Sequence, residues 1–167
     1  MSDADLIGKR GESIAYSRLT LPREAGSPRP LFALHHLGDK FETLDFLVEL
    51  LDAGRPGLCF FIQVRSTWKP LTKSRTPPRL RIEVSEDEVR RMAGWPAPTY
   101  LIGVHQGTDR VFIVSVHEGM TEAIPSITTA HELTSLTMKL LWDEVRDYWV
   151  ARDFPRRTSA FQNGAST

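Results

Sequence analysis

Short apolar runs, separated by glycine- and proline-rich breaks, dominate the first half of the chain. Between residues 3 and 21 the apolar positions recur at helix-like intervals, which predicts a first helix. Three apolar runs of strand length follow, at residues 31–37, 43–52 and 58–67. The short turn AGRPG, at 53–57, joins the last two runs, so we predict that they form a hairpin. Loops are predicted at residues 22–30 and 68–78.

The second half begins with a polar helix signal and ends with an amphipathic one. Residues 79–84 alternate in a way compatible with a further short strand. Ser85 and Glu88 have the spacing of a capping box, which predicts a short helix ending at about Ala93. Residues 99–116 predict a second hairpin, and residues 117–131 have no clear periodicity. A last helix is predicted over 133–150, with an apolar side made of Leu133, Leu136, Leu140, Leu141, Val145 and Tyr148 or Trp149.

The predicted elements follow the order αβββαββα, which indicates an α/β (α+β) protein with a central mixed sheet flanked by helices. A chain of 167 residues suits one domain, which we place at residues 1–154. Residues 155–167 are rich in serine, glycine and basic side chains, so we predict a flexible C-terminal tail.

Composition and charge exclude several classes of protein and leave others open. Hydrophobic residues make up 41% of the chain and charged residues 25%, which is typical of a soluble globular protein. Basic and acidic residues both number 21, so any argument for nucleic-acid binding must rest on local charge. Cys59 is the single cysteine, which excludes an internal disulfide and a cysteine-rich zinc site. No segment has the pattern of a signal peptide or membrane span, so we expect a cytoplasmic location.

Polar side chains interrupt two apolar strands where packing alone gives them no role. Asp45 breaks the second predicted strand, and Gln63 and Arg65 stand two apart in the third, hence on one face. The hairpin would bring that face towards Asp45. Carboxylate and amide oxygens are the ligands that Mg²⁺ prefers in proteins. Glu12, next to Gly11 on the first helix, is a further candidate carboxylate.

Taken in order, these residues resemble the PD-(D/E)XK, or restriction-endonuclease-like, nuclease superfamily. Its pattern is an acidic residue on a helix, an aspartate at a hairpin, and E/D/Q-x-K on the next strand. "FIQVRST" is similar to the Q-x-K branch of Mrr-like enzymes. The chain is most similar to the bacterial domain-of-unknown-function family 4365, through "GESIAY", "QVRS", "WPAPTYLIGV" and "LWDEVRDYW". The resemblance covers most of residues 5–150.

The resemblance implies a metal-dependent endonuclease, in bacterial defence or DNA processing. Mg²⁺ or Mn²⁺ would be bound by Glu12, Asp45, Gln63 and the backbone carbonyl of Val64. Arg65 stands where the superfamily has its catalytic lysine, and an arginine cannot give up its proton. It can still stabilise charge on a phosphate. The glycine and first acidic residue that often precede the aspartate in the related family are replaced here by "KFETLD".

A basic stretch follows the third strand and predicts where a nucleic acid would bind. It contains no acidic residue between Ser66 and Ile82. Phosphate contacts and base stacking there would come from Trp68, Lys69, Lys73, Arg75 and Arg79. The alternative is an ordinary solvated basic loop.

Two other functions fit the same residues. Without the lysine, the fold could serve as a catalytically degenerate module that binds nucleic acid or a protein. It could also be an interaction domain that dimerises through the last helix. The implied partners are therefore nucleic acid, with DNA first, and either a second copy of the chain or a larger defence assembly. Taken singly, Asp45 could equally be a strand-end or surface carboxylate, and for Glu12 alone a solvated helix position is the favoured alternative.

Overall fold

The computed structural model describes residues 3–23, 28–38 and 41–152. The helices are α1 (Asp3–Leu19), α2 (Glu86–Ala93) and α3 (Ser135–Ala151). The strands are β1 (Phe32–His36), β2 (Phe46–Leu50), β3 (Cys59–Thr67), β4 (Arg79–Leu80), β5 (Thr99–His105), β6 (Arg110–Ser115) and β7 (Ile127–Thr128). The predicted tail at 155–167 lies outside the described residues. No helix within the described ranges is both long and apolar enough to cross a membrane.

The main sheet has five strands in the order β1-β2-β3-β5-β6. β2 and β3 pair antiparallel, as predicted from the short AGRPG turn, with Phe46 opposite Ile62. β3 and β5 pair parallel, and α2 lies in the connection between them. The other neighbours in this sheet are antiparallel. The predicted mixed sheet flanked by helices is therefore confirmed.

A second, two-stranded sheet corrects two predictions. The further strand predicted at 79–84 is only Arg79–Leu80, and the segment predicted as irregular contains β7. These two short strands pair antiparallel, with Leu80 opposite Ile127. Each strand depends on a partner far away in the sequence, so local periodicity does not reveal the pair.

Two hydrophobic cores cover the two faces of the main sheet. The first core lies on the side of α1 and α3 and includes Ala15, Phe60 and Val145. The second core lies on the side of α2 and β4 and includes Val89 and Phe112. Because both faces are covered, β3 reads as an almost continuous apolar run. A polar side chain on this strand therefore has an unfavourable position unless it has a partner.

The orientation of α3 differs from the predicted one. Leu136 and Leu140 are 71% and 60% exposed, whereas the apolar periodicity predicts both on the buried side. The buried residues of the helix are Met138, Leu141, Trp142 and Val145. The two indole N–H groups of the helix fix its rotation, because Trp142 donates to the Leu51 carbonyl (3.1 Å) and Trp149 to the Cys59 carbonyl (2.7 Å).

α1 approaches β3 very closely at one glycine. A Cβ atom built on Gly11 would lie 2.5 Å from the Cβ atom of Ser66. The Ser66 hydroxyl donates to the Ile7 carbonyl of the helix (3.0 Å), and the buried Gln106 amide donates to the same carbonyl (2.5 Å). These contacts dock α1 on the end of β3 and so determine where Glu12 lies.

Substituting Gly11 by alanine should destabilise the protein by about 1–3 kcal/mol, because the added methyl overlaps Ser66. Gly8 is the matched control, since it lies in the same helix and a Cβ there meets no atom within 4 Å. Gly8→Ala should raise stability by about 0.5–1 kcal/mol through helix propensity alone. Urea unfolding measures the change in the free energy of unfolding for both variants. If the two changes were equal, α1 would not dock on β3 as described.

Candidate active site

Asp45 lies at a break in the pleat, immediately before β2. Leu44 packs in the second core, whereas Phe46, two positions later, packs in the first. The Asp45 N–H donates to the Ile62 carbonyl (2.9 Å), although Ile62 is the register partner of Phe46. Such irregularities redirect a side chain out of the regular alternation. The Asp45 carboxylate is thereby held beside the backbone of β3.

The surroundings of Asp45 make its charge unfavourable. Its Oδ2 accepts a hydrogen bond from the Val64 N–H at 2.5 Å. Burial raises the pKa of the Asp45 carboxyl, the Val64 bond lowers it, the Glu12 charge raises it, and Arg65 and His36 lower it. The net effect is a raised pKa. A half-buried carboxylate that is repelled by a second carboxylate is stabilised by a proton or by a metal cation.

His36, on β1, holds the Glu12 carboxylate. The His36 Nδ1 accepts from the Gly38 N–H (3.1 Å), so in the neutral ring the proton is on Nε2. That nitrogen lies 3.3 Å from Glu12 Oε2 and donates to it. The sequence does not single out His36, because two adjacent histidines do not have the spacing of metal ligands. The β1–β2 register, which places His36 opposite Phe46, would have indicated its position beside Asp45.

Gln63 and Arg65 share one face of β3, as predicted, and both contact α2. Gln63 is 3% exposed, and its amide nitrogen lies 3.5 Å from Glu88 Oε1. The Arg65 guanidinium forms an ion pair with the same carboxylate oxygen. The polar contacts therefore join Glu12 to His36, and Gln63 and Arg65 to Glu88. Asp45 lies between the two groups, because its pKa responds to the charges of Glu12 and His36 in the first group and of Arg65 in the second.

Glu88 has two structural roles, of which the sequence indicated one. Its Oε2 accepts from the Ser85 N–H (2.9 Å) and completes the predicted capping box of α2. Its Oε1 receives Arg65 and Gln63. Burial raises the pKa of the Glu88 carboxyl, but the Ser85 hydrogen bonds, the Arg65 charge and the Gln63 amide outweigh burial and lower it overall. Glu88 is thus a charged anchor for the two β3 side chains.

The donor atoms near Asp45 fit a hard cation better than zinc. No three His, Cys, Asp or Glu side chains come together as a metal-binding group among the residues that the structure describes. Mg²⁺ needs fewer, since it is commonly held by one or two carboxylates and keeps several waters. Glu12 and Asp45 supply two carboxylates. The Gln63 Oε1 is buried and has no hydrogen-bond partner in the described part of the chain. It is therefore a further oxygen atom with which a cation could be coordinated.

The predicted nucleic-acid residues divide into exposed and engaged ones. Trp68 is 52% exposed, and the Arg10 guanidinium lies over its ring, 5.3 Å from the centroid. Lys73 and Arg75 are exposed in the loop before β4. Arg79 has a different role, because its guanidinium donates to the hydroxyl (2.8 Å) and carbonyl (2.5 Å) of Ser126.

Comparisons with known proteins identify one similar solved structure and no family. No family model matches the chain, and no curated protein matches it significantly. Among solved structures the chain is similar to a bacterial homing endonuclease, I-Ssp6803I, with 16% identity and a TM-score of 0.47. The match covers 91% of this chain and 97% of that one. A likeness this weak does not establish a shared activity.

Proposed function

We propose that the protein is a metal-dependent nuclease whose centre is Asp45. The observation that supports this most is the half-buried Asp45 carboxylate, whose pKa is raised by burial and by the charge of Glu12. His36 lies opposite Phe46, the residue after Asp45, and its Nε2 lies 3.3 Å from Glu12 Oε2, which places Glu12 on the same part of the sheet. An ordinary hydrophobic sheet gains nothing from a half-buried carboxylate that a second carboxylate repels, and a carboxyl group with a pKa perturbed in this way is typical of a functional site. The order of Glu12, Asp45 and Gln63-Val64-Arg65 along the chain supports the same conclusion through the sequence resemblance.

In this proposal the chain binds the metal and the phosphate with different residues. Glu12, Asp45, Gln63 and the Val64 carbonyl would hold Mg²⁺ or Mn²⁺, which would polarise a phosphodiester and activate water for attack. His36 keeps the Glu12 carboxylate in place through its Nε2–H. Arg65 adds fixed positive charge on the side of the site that faces α2. Because an arginine stays protonated, it stabilises phosphate charge and does not act as a base.

The second candidate is a module that binds nucleic acid without cutting it. One observation favours it: the Arg65 guanidinium is already engaged by Glu88. The Glu88 carboxylate offsets the positive charge of this guanidinium and occupies part of its N–H donors. Arg65 would therefore attract a phosphate less strongly than an unpaired lysine would. The sheet, the basic stretch and the exposed Trp68 would serve such a module equally well.

Cleavage by the parent protein and by Arg65→Lys separates the two candidates. Both proteins are incubated with linear DNA, supercoiled DNA and RNA, in Mg²⁺, in Mn²⁺ and in chelator. The nuclease proposal expects metal-dependent cutting by the parent, retained or raised in Arg65→Lys because the superfamily's amine is restored. If neither protein cuts in any metal while both bind nucleic acid, the binding module is correct. DNA is the first substrate to try, in line with a role in bacterial defence or DNA processing.

Neutralising Lys69, Lys73 and Arg75 together should weaken nucleic-acid binding and reduce its salt dependence. Each lost phosphate contact lowers the slope of log K against log salt by about 1, so the triple variant should lose about 2–3. Arg79 is left intact, because its contacts with Ser126 support the pairing of β4 and β7. Binding is measured by fluorescence anisotropy over a salt series.

The control is a triple variant with the same change in net charge, at Arg90, Lys139 and Arg146. These side chains form ion pairs on their own helices. The control should keep the parent slope. If both triple variants show that slope, the basic stretch is only a solvated surface.

A further inference from the structure

A cavity of about 490 Å³ is lined by Glu12 and by Phe46, the residue that follows Asp45, and has no role in the chemistry proposed above. Its main lining residues are Lys9, Glu12, Ser13, Tyr16, His36 and Phe46. We propose that this cavity binds one unpaired nucleobase of the substrate, next to the phosphate at Asp45. The proposal rests on the proposed function and adds the class of nucleic acid that the site accepts.

The cavity has aromatic walls of the kind that bind flat rings. Phe46 is buried and forms the floor. The His36 ring lies 5.2 Å from the Phe46 ring at 78°, and the Tyr16 ring lies 6.3 Å from it. Tyr16 is 45% exposed, although it sits on the helix that packs against the first core. Aromatic side chains that leave a face open are what single-stranded nucleic-acid sites use to stack bases.

The charges of the cavity indicate a neutral ligand. Lys9 and Glu12 both belong to the lining, so one positive and one negative side chain offset each other and the cavity carries no net charge that would select a phosphate. The Ser13 hydroxyl donates to the Lys9 carbonyl (2.9 Å), so its oxygen lone pairs are left to accept hydrogen bonds. A nucleobase is flat, neutral and carries N–H donors at its edge. The volume also falls in the range of about 300–1,000 Å³ that small-ligand pockets have.

The position of the cavity fixes the form of the substrate. Glu12 contributes both to the cavity lining and to the proposed metal site, so a base bound there belongs to a nucleotide beside the reacting phosphate. In a continuous duplex the faces of the bases are stacked on each other and are not accessible to a side chain. We therefore expect a preference for single strands, bubbles or flaps over fully paired DNA.

Binding in chelator tests this without requiring catalysis. Fluorescence anisotropy is measured with a single-stranded oligonucleotide, the matching duplex, and a duplex with a central bubble. The parent should bind the single strand and the bubble more tightly than the duplex. Tyr16→Ala should weaken binding to both by about 5- to 100-fold and change duplex binding little. Tyr16→Phe should keep the parent affinity, because the ring remains.

Tyr148→Ala is the matched control, since Tyr148 is a partly exposed helical tyrosine that lines a separate cavity. It should bind all three probes like the parent, and circular dichroism checks that the variants are folded. Equal affinity of the parent for single strand and duplex would overturn the inference. So would a Tyr16→Ala variant that is folded and binds the single strand normally. Failure of metal-dependent cutting, by contrast, would overturn the proposed function and leave this binding result standing.

Discussion

Asp45→Asn should abolish metal-dependent cleavage and, in the absence of metal, make the protein more stable. Asparagine keeps the acceptor for the Val64 N–H but removes the charge that burial and Glu12 oppose. We expect a gain in the free energy of unfolding on the order of 1 kcal/mol at neutral pH, in the usual range for a single substitution. Cutting should fall to background, because a metal ligand is lost.

The pH dependence of stability gives a second measurement of the same group. A raised pKa means that folded Asp45 holds its proton at pH values where the unfolded chain, near 3.8, has lost it. The parent should therefore lose stability as pH rises from that value through the pKa of the folded state, and Asp45→Asn should lack this loss. Thermal unfolding at a series of pH values measures both proteins.

Glu42→Gln is the control for Asp45. Glu42 is an exposed nearby carboxylate that pairs with Arg91, so its substitution should leave cutting and the pH profile intact. Mn²⁺ should stabilise the parent and Glu42→Gln, since a ligand that binds only the folded state shifts unfolding. Equal stabilisation of Asp45→Asn by Mn²⁺ would show that the metal binds elsewhere.

Glu88→Ala should cost about 2–3 kcal/mol of folding stability, the largest effect that we expect from a single side chain on α2. The substitution removes half of the capping box and leaves the Arg65 charge without its partner. Glu86→Ala is the control in the same turn: Glu86 pairs with Arg90 on the exposed side of α2, and its loss should cost less than about 0.5 kcal/mol. Urea unfolding at neutral pH compares the two.

Acid should weaken the same contact in the parent. The pKa of Glu88 is lowered, so its contribution is present above the ordinary value of 4.5 and is lost as pH falls through the pKa of the folded state. Glu88→Ala should therefore lose less stability than the parent on acidification. A parallel loss in both proteins would mean that Glu88 has no special role in acid sensitivity.

Local signals in the sequence were sufficient for most of the elements. The β2–β3 hairpin follows from two apolar runs and a five-residue turn, and the start of α2 follows from the spacing of Ser85 and Glu88. Both depend on residues that are close together in the chain. The same is true of the shared face of Gln63 and Arg65, which comes from strand alternation.

The grouping of the site residues needed the three-dimensional structure. Continuing the β2–β3 register would place Asp45 opposite Gln63, on one face. The break at Asp45 instead brings its carboxylate under the influence of Glu12, while Gln63 contacts Glu88. His36 and Glu88 were missed as site residues because their partners lie 24 and 23 residues away. No periodicity encodes contacts of that kind.

The two cores on opposite faces of the sheet have a consequence for local unfolding. Glu12 is positioned by α1, on the side of the first core, and Arg65 is held by α2, on the side of the second. The site is complete only while α1 and α2 both stay packed against the sheet. Either helix can detach locally at a lower free energy than global unfolding requires. We therefore expect activity to decline on heating before the main sheet melts, with amides of α1 or α2 exchanging hydrogen earlier than those of β3.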